Sequence, residues 1–402
     1  MNMIERSYEQ LKFIDKPEKK LVEIIFLDHF YFNIDYDELE ILGNFKVEKG
    51  NFLFERKETK FDHIIDRGFS DLKSRITGKK VIYVHKNSNI PLIGNGSFGI
   101  VDRGTNVIEI KPVCGCNIDC VYCSVDENRR GVDFVVEKDY LVDELEKVVA
   151  IKKHPVEIHI GCQGEPLLYS PLVELIRGCS NISNVKKISI DTNVTLLNEK
   201  RIDDMIEAGL TQFNSSLNSL DKNRSIKIAN SKYNIDHVEK MIRYISTKPV
   251  TQVIAPVWVQ SLNDEDIEPI IELCKETNSI CGIQNYLSYS LGKNAGKSIT
   301  MENFYDKLKI LEKKHDIKLI ISLKDDFGIV PDAPIPRIFK KGDVINVEIV
   351  SPGRMGNEMI GIAEGRSISI YDNKKEINKK IGKIIPVKII RSKHNIYAGE
   401  PV

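Results

Sequence analysis

Four of the chain's eight cysteines fall within ten positions, in the run Cys114-Gly-Cys116-Asn-Ile-Asp-Cys120-Val-Tyr-Cys123. Thiolates are soft metal ligands and nucleophiles, and the number and spacing of the thiols decide which kind of site they can build. Cys116, Cys120 and Cys123 have the spacing C-x3-C-x2-C and follow directly on the β-rich run Asn106 to Pro112, so three thiols leave one loop at a strand's C-terminal end. A structural zinc takes four protein ligands, and ferredoxin-type clusters take four cysteines. Three thiolates on a tight loop can instead wrap one face of a cluster and leave a coordination position open. A zinc knuckle and a redox dithiol are the competing readings. The spacing is complete without Cys114, which reads as a bystander in the loop, with an auxiliary or redox role as its alternative.

The elements that must position this loop can be traced along the chain. At 402 residues the chain is too long for one ordinary domain. Its 42 % hydrophobic and 29 % charged residues place it among soluble globular proteins and exclude an intrinsically disordered chain. The opening segment has no apolar core of signal-peptide type, and no run approaches bilayer-spanning length. A cytoplasmic location without membrane association is therefore expected, where thiols stay reduced and clustered cysteines are metal ligands or catalytic groups. Residues 1–100 read as an α+β region of mixed short pieces. From residue 101 to 325 short β-rich runs alternate with amphipathic helix-length ones, six or seven times, the pattern of parallel strands with helical crossovers closed or nearly closed into a barrel. Sites in such folds lie at the C-terminal ends of the strands. Residues 326–338, with Pro331, Pro334 and Pro336, read as a semi-rigid linker. Residues 339–402 read as a small all-β barrel.

The cysteine spacing, with the aromatic Tyr122 before its third cysteine, resembles the radical SAM superfamily. That resemblance implies a partial (β/α)6 TIM-like barrel and a [4Fe-4S] cluster held by Cys116, Cys120 and Cys123, whose fourth iron binds the amino and carboxylate groups of S-adenosyl-L-methionine. Gly164-Glu165-Pro166 looks like the superfamily's glycine-rich turn that receives the methionine amino group, with Gln163 in place of its first glycine. Thr192 and Asn193 match the family's Thr-Asn element near the nucleoside, and Ser216 and Asn218 stand where polar contacts to the ribose or carboxylate are expected. Each of these polar residues also has an ordinary reading as a strand-end cap. The implied reaction is reductive cleavage of S-adenosylmethionine to a 5′-deoxyadenosyl radical, with an electron donor such as ferredoxin or flavodoxin as partner. No catalytic residue beyond these is identifiable. No D-x-H-x-x-G pattern is present, so corrinoid dependence has no support in the sequence.

Two phosphate-loop lookalikes have simpler readings. Gly94, Gly96 and Gly99 fit G-x-G-x-x-G but precede a strand with no crossover helix, so a turn is expected. Gly292, Gly296, Lys297 and Ser298 fall one residue short of a Walker A loop and read as a basic loop. Cys162, Cys179, Cys274 and Cys281 lack paired spacing and read as buried small hydrophobes. His154 and His159 read as surface or strand-end residues.

The terminal segment resembles the TRAM domain, an OB-like β-barrel of tRNA-modifying enzymes. From Arg337 onward it holds 13 Lys/Arg against 7 Asp/Glu, a local +6 in a chain of net charge zero. Lys340, Lys341, Arg354, Arg366 and the pairs Lys374–Lys375 and Lys379–Lys380 suit phosphate contacts, so RNA, and tRNA in particular, is the expected partner. The tRNA methylthiotransferases share this combination but carry three further cysteines near the N-terminus, whereas residues 1–113 here contain none. The whole chain is closer to uncharacterised archaeal radical SAM proteins with a TRAM tail. A radical enzyme acting on a protein or small molecule, and a non-catalytic iron–sulfur RNA-binding protein, are the alternatives.

Overall fold

The computed structural model describes residues 3–372 and 380–402. Six parallel strands form the centre of the molecule: Val107–Lys111, Val156–Ile160, Val185–Thr192, Gln212–Ser215, Thr251–Ile254 and Ile280–Cys281, each paired with the next. The antiparallel strand Gly99–Asp102 borders the first of them, and the sheet stays open. Along each strand successive side chains face opposite ways. Ile108, Ile110, Ile158, Ile160, Ile188, Ile190 and Phe213 enter a core shared with helices such as Lys138–Val149 and Leu172–Ser180. Glu109, Lys111, Glu157, His159, Ser189, Asp191, Gln212 and Asn214 alternate with them and share the other face, in a polar ladder. Several crossover helices start on a side-chain cap: Asn198 accepts from the Arg201 N–H, Asp221 from Arg224, Asn234 from His237 and Thr300 from Asn303.

The N-terminal region is more β-rich than its sequence suggested. A small sheet joins Ile4–Arg6, Asn51–Phe54 and Phe45–Glu48. A six-stranded sheet runs from Leu11–Lys16 through Leu21–Phe26, Phe30–Asp35, Lys73–Ser74 and Lys80–Val84 to Val132–Val136. Phe61 of helix Glu58–Phe69 stacks on Phe52 and Phe54, and Phe13 packs tilted against Phe52, joining the helix to these sheets. The last strand of the larger sheet is the segment that follows the cysteine loop, and it pairs in parallel with Lys80–Val84. The N-terminal region thereby holds one base of that loop.

The proline-rich segment is anchored rather than free. The Lys152 ammonium, with no solvent exposure, donates to Asp102 Oδ1 at 2.8 Å and to the carbonyls of Thr105 and Ala333 at 2.9 Å. Asp102 Oδ2 accepts the Ile335 N–H at 2.8 Å. Asp332 accepts from the backbone of Lys153 and His154, and the His154 ring lies 3.2 Å from the same carboxylate. His154 therefore fastens this segment.

Beyond it, Val344–Pro352, Glu358–Ala363, Arg366–Tyr371, Ile384–Arg391 and Ala398–Pro401 close into a five-stranded barrel around Val347, Ile349, Ile368, Ile370, Val387, Ile389 and Tyr397. The glycine motif at Gly94 is where this barrel docks. Gly94 has φ +126°, and a Cβ on it would sit 2.0 Å from the Ser367 carbonyl oxygen. The Ser367 N–H donates to Ile93 O and the Tyr397 N–H to Gly94 O. A turn was expected there, and the glycine requirement comes from the neighbouring barrel. Arg354, expected to face phosphates, is instead 5 % exposed, with its carbonyl accepting from the Gly131 N–H. It belongs to the contact between the terminal barrel and the segment that follows the cysteine loop, and offers no surface charge. Lys374, Lys375 and Lys379 lie outside the described residues.

Candidate functional site

A cavity of ≈240 Å³ opens at the C-terminal ends of the central strands, room for over a dozen water-sized bodies at about 15 Å³ each. Cys116, Cys120 and Cys123 share one of its walls, and all three are free thiols. Their loop is pinned from several sides. The Asp119 and Val121 N–H groups donate to Ala229 O and Ile228 O, and the Glu165 N–H donates to Gly115 O at 2.8 Å. Gly164 bridges to Gly115 so closely that a Cβ would stand 2.0 Å from the Gly115 oxygen. A side chain at 164 would force the loop off the neighbouring strand end.

The segment read from sequence as a basic loop closes the far side. The Lys293 N–H donates to Cys123 O at 2.9 Å, the Asp126 N–H to Leu291 O at 2.9 Å, and Lys293 Nζ to Asp119 O while pairing with the Asp119 carboxylate. A Cβ on Gly292 would meet Cys123 O at 2.8 Å. The glycine in that motif therefore serves close approach to the cysteine loop, a purpose visible only once the chain is folded.

Cys114 points elsewhere. It is 1 % exposed, its sulfur accepts the Phe134 N–H at 2.9 Å, and burial pushes its thiol up to about 11. Cys179, Cys274 and Cys281 are buried, as expected. Cys162 departs from that reading, because the strand end brings it into the cavity lining.

The polar strand ends converge, though several of them serve the loops more than the open space. Glu165 is 1 % exposed and accepts from the Leu167 N–H, the Thr192 hydroxyl at 2.7 Å and the Asn193 N–H at 2.7 Å. It locks the second strand end to the third. Pro166 opens the buried turn Pro166–Leu168 behind it. Val194, which follows Asn193, has φ +67°, a strained value for a β-branched residue. Asn193 Nδ2 reaches Asn117 Oδ1 at 2.9 Å and Cys116 Sγ at 3.8 Å. Asn218 donates to the Tyr122 hydroxyl at 2.7 Å and accepts the Val257 N–H at 2.8 Å, so both ends of its amide are engaged. Tyr122 lines the cavity beside Cys120 and Cys123. Ser216 lines the cavity, with its N–H on Thr192 O.

His159 is no ordinary surface residue. Its ring bonds Ser189 Oγ at 2.9 Å and Asp191 Oδ2 at 3.1 Å on the polar face of the sheet. Burial works against its protonation, but the carboxylates of Asp191, Glu109 and Glu157 outweigh it and raise its pKa. Asp191 itself lines the cavity. Sequence reading passed over it, although alternation with the inward Ile188 and Ile190 would have placed it on the polar face. Ile118, Val125, Ile228, Ala229 and Tyr233 supply an apolar wall that carried no sequence signal.

These residues fit an iron–sulfur cluster with a polar, nucleoside-bearing ligand. Burial raises all three cavity thiols, Cys120 to about 12, so a bound metal would displace their protons. Among the described residues no three His, Cys, Asp or Glu converge on one metal point, whereas a cubane takes each thiolate on a different iron. Gln163 Oε1 is buried in the lining without a protein partner, an acceptor left for a donor on a bound group.

Glu165 gives this site a measurable pH signature. Burial raises its carboxyl from 4.5 to about 7 despite its hydrogen bonds. The folded state then holds a proton that the unfolded state has lost, so the metal-free chain is expected to lose stability as pH rises from about 4.5 to 7 and to level off above, by roughly 3 kcal/mol at most. Urea midpoints at pH 5, 6 and 7 check this. Glu165→Gln should flatten the slope, and an unchanged slope in that variant would remove Glu165 as its source.

A fold of parallel strands with a three-cysteine loop at their C-terminal ends defines a class. Residues 110–274 match the family model described as the radical SAM superfamily. The chain belongs to that superfamily, whose members are enzymes that use a [4Fe-4S] cluster and S-adenosylmethionine. An uncharacterised protein of Methanocaldococcus jannaschii is 34 % identical to it over 421 aligned positions, 96 % of each chain. A GTP 3′,8-cyclase of Listeria welshimeri is 32 % identical over 182 positions, 43 % of this chain and 52 % of that enzyme. The solved structure of Streptococcus suis SuiB bound to S-adenosylmethionine superposes with a TM-score of 0.43 at 13 % identity, over 78 % of this chain and 72 % of that one. Among the described residues no helix is long and apolar enough to cross a membrane.

Proposed function

We propose that this radical SAM enzyme acts on RNA, and most concretely on tRNA, with Cys116, Cys120 and Cys123 holding the cluster and its terminal barrel serving as an OB-like, TRAM-type RNA-binding domain. The observation that carries the substrate reading is that barrel: a closed five-stranded β-domain in a segment of net charge +6 within a chain that is neutral overall. Bound in the cavity, the cluster and S-adenosylmethionine would supply reductive cleavage of the sulfonium and hydrogen abstraction from substrate.

The chain's own residues bind, orient and exclude water. Lys293 and Gly292 clamp the cysteine loop, and Glu165 ties Thr192 and Asn193 to the Gly164 turn. Asn218 holds the Tyr122 hydroxyl in the cavity lining. Ser216 and Gln163 present polar groups, while Ile118, Ile228 and Tyr233 give an apolar surface suited to a purine. An electron donor of ferredoxin or flavodoxin type completes the requirement.

The test is to compare modified nucleosides in tRNA from a strain lacking this gene with those of wild type, by mass spectrometry. Loss of one or more nucleosides, restored by the wild-type gene but not by a Cys120→Ala copy, is the expected result. Identical profiles would count against RNA as substrate.

A second reading, a free nucleotide substrate, is favoured by the similarity to GTP 3′,8-cyclases, although this chain spans only about half the length of those enzymes. GTP-dependent consumption of S-adenosylmethionine by the purified protein would support it, and its absence would leave RNA ahead.

A further inference from the structure

On the far end of the first central strand from the cysteine loop, a groove of ≈400 Å³ runs between the central sheet, the anchored proline segment and the terminal barrel. Arg103 enters it from the sheet, Arg337 from the proline segment and His394 from the barrel. Arg366 stands beside it, donating to Pro336 O at 3.3 Å. Arg391 and Lys393 flank His394, whose pKa is lowered by burial and by Arg103, Lys393, Arg391 and Arg337. Arg103, Arg337, Arg391 and Lys393 are all exposed.

Counter-ions are scarce here. Arg103 pairs with Glu109 at 3.0 Å, and Asp102 is consumed by the buried Lys152. Among the described residues no carboxylate pairs with Arg337, Arg366, Arg391 or Lys393. Like charges gathered without a partner repel one another, and a row of anions relieves that repulsion.

The cations are also held in a fixed relation. Asp102 takes the Ile335 N–H, and Asn395 Nδ2 donates to Ile335 O at 2.8 Å, so sheet, segment and barrel meet on one residue. His394 and Asn395, both with positive φ (58° and 55°), line the groove. A lone phosphate is best held by buried, convergent donors. These donors are exposed and spread over three elements, the arrangement that suits a chain of phosphates.

We infer that this seam is the phosphate-binding groove through which the protein anchors the RNA backbone, an inference that rests on the RNA-substrate reading above. Base stacking contributes little at the groove, because among the described residues no Phe, Tyr or Trp lines it. Binding is therefore carried by phosphate contacts and falls with salt. The groove lies away from the cavity, so it holds substrate without touching the cluster loop.

The test uses the full-length, cluster-loaded protein, total tRNA as probe, and a salt series. Arg337→Glu combined with Lys393→Glu is compared with wild type and with Lys309→Glu, a charge reversal on the exposed face of helix Met301–His315. The groove variant is expected to bind about tenfold or more weakly near ~0.1 M salt, with its log–log slope shallower by roughly two, while Lys309→Glu stays within about twofold. The cluster spectrum and thermal midpoint should match wild type in both. If wild type binds tRNA and the groove variant binds it with the same affinity and slope, or if Lys309→Glu loses as much, the groove assignment falls. If wild type itself shows no salt-dependent tRNA binding, the RNA-substrate reading falls first, and the two failures are distinguishable.

Discussion

Replacing Cys120 by alanine is expected to leave a folded protein that takes up almost no iron on anaerobic reconstitution, against about four irons per chain for wild type, and that lacks the broad absorption near ~400 nm. Cys120 lies on the cavity wall with Cys116 and Cys123, and removing one of three thiolates leaves a cluster with two protein anchors. Cys114→Ala should load normally, because its sulfur faces the Phe134 backbone in the core. Cys162→Ala is the sharper control, since that thiol does line the cavity. Full loading of the Cys162 variant and failure of the Cys120 variant would fix the ligand set as the C-x3-C-x2-C triad. Loss of iron in Cys162→Ala with retention in Cys120→Ala would overturn it.

Asp102→Ala should be among the most destabilising single changes outside the cavity. The Lys152 and Asp102 side chains are both fully buried, and the carboxylate also takes the Gly104 and Ile335 N–H groups. Its removal leaves an ammonium in the interior with two carbonyls, a loss of about 3–5 kcal/mol. Replacing both partners, Asp102→Leu with Lys152→Met, should cost clearly less, because no uncompensated charge remains. Chemical denaturation of the three proteins decides the matter. If Asp102→Ala were as stable as wild type, the buried pair would not be what pins the proline segment to the sheet.

Much of the site could be read from local spacing, and what escaped was tertiary. Three cysteines on one loop and a Gly-Glu-Pro turn are contiguous in the chain, so their types and intervals survive without coordinates. The direction of Glu165 could not be read that way. It faces Thr192 and the Asn193 backbone, and nothing within its own turn says so. Lys293 escaped for the same reason, since its partners Cys123 and Asp119 lie far upstream in the cysteine loop, Asp119 by 174 residues.

The parallel core was legible because each unit pairs an isoleucine-rich strand with an amphipathic helix next to it in sequence. The N-terminal sheet was not. Its strands are contributed by residues 11–35, 73–84 and 132–136, and pairing across such gaps leaves no periodicity in any window. Arg354 is the clearest case of charge misread as surface, because net charge counts residues without regard to burial.

The most direct measurement is the yield of 5′-deoxyadenosine from the anaerobically reconstituted full-length protein given dithionite and S-adenosylmethionine. Formation of 5′-deoxyadenosine by wild type, and none by Cys116→Ala, Cys120→Ala or Cys123→Ala, is the expected result. A wild-type protein with its cluster fully assembled that releases no 5′-deoxyadenosine would contradict the account.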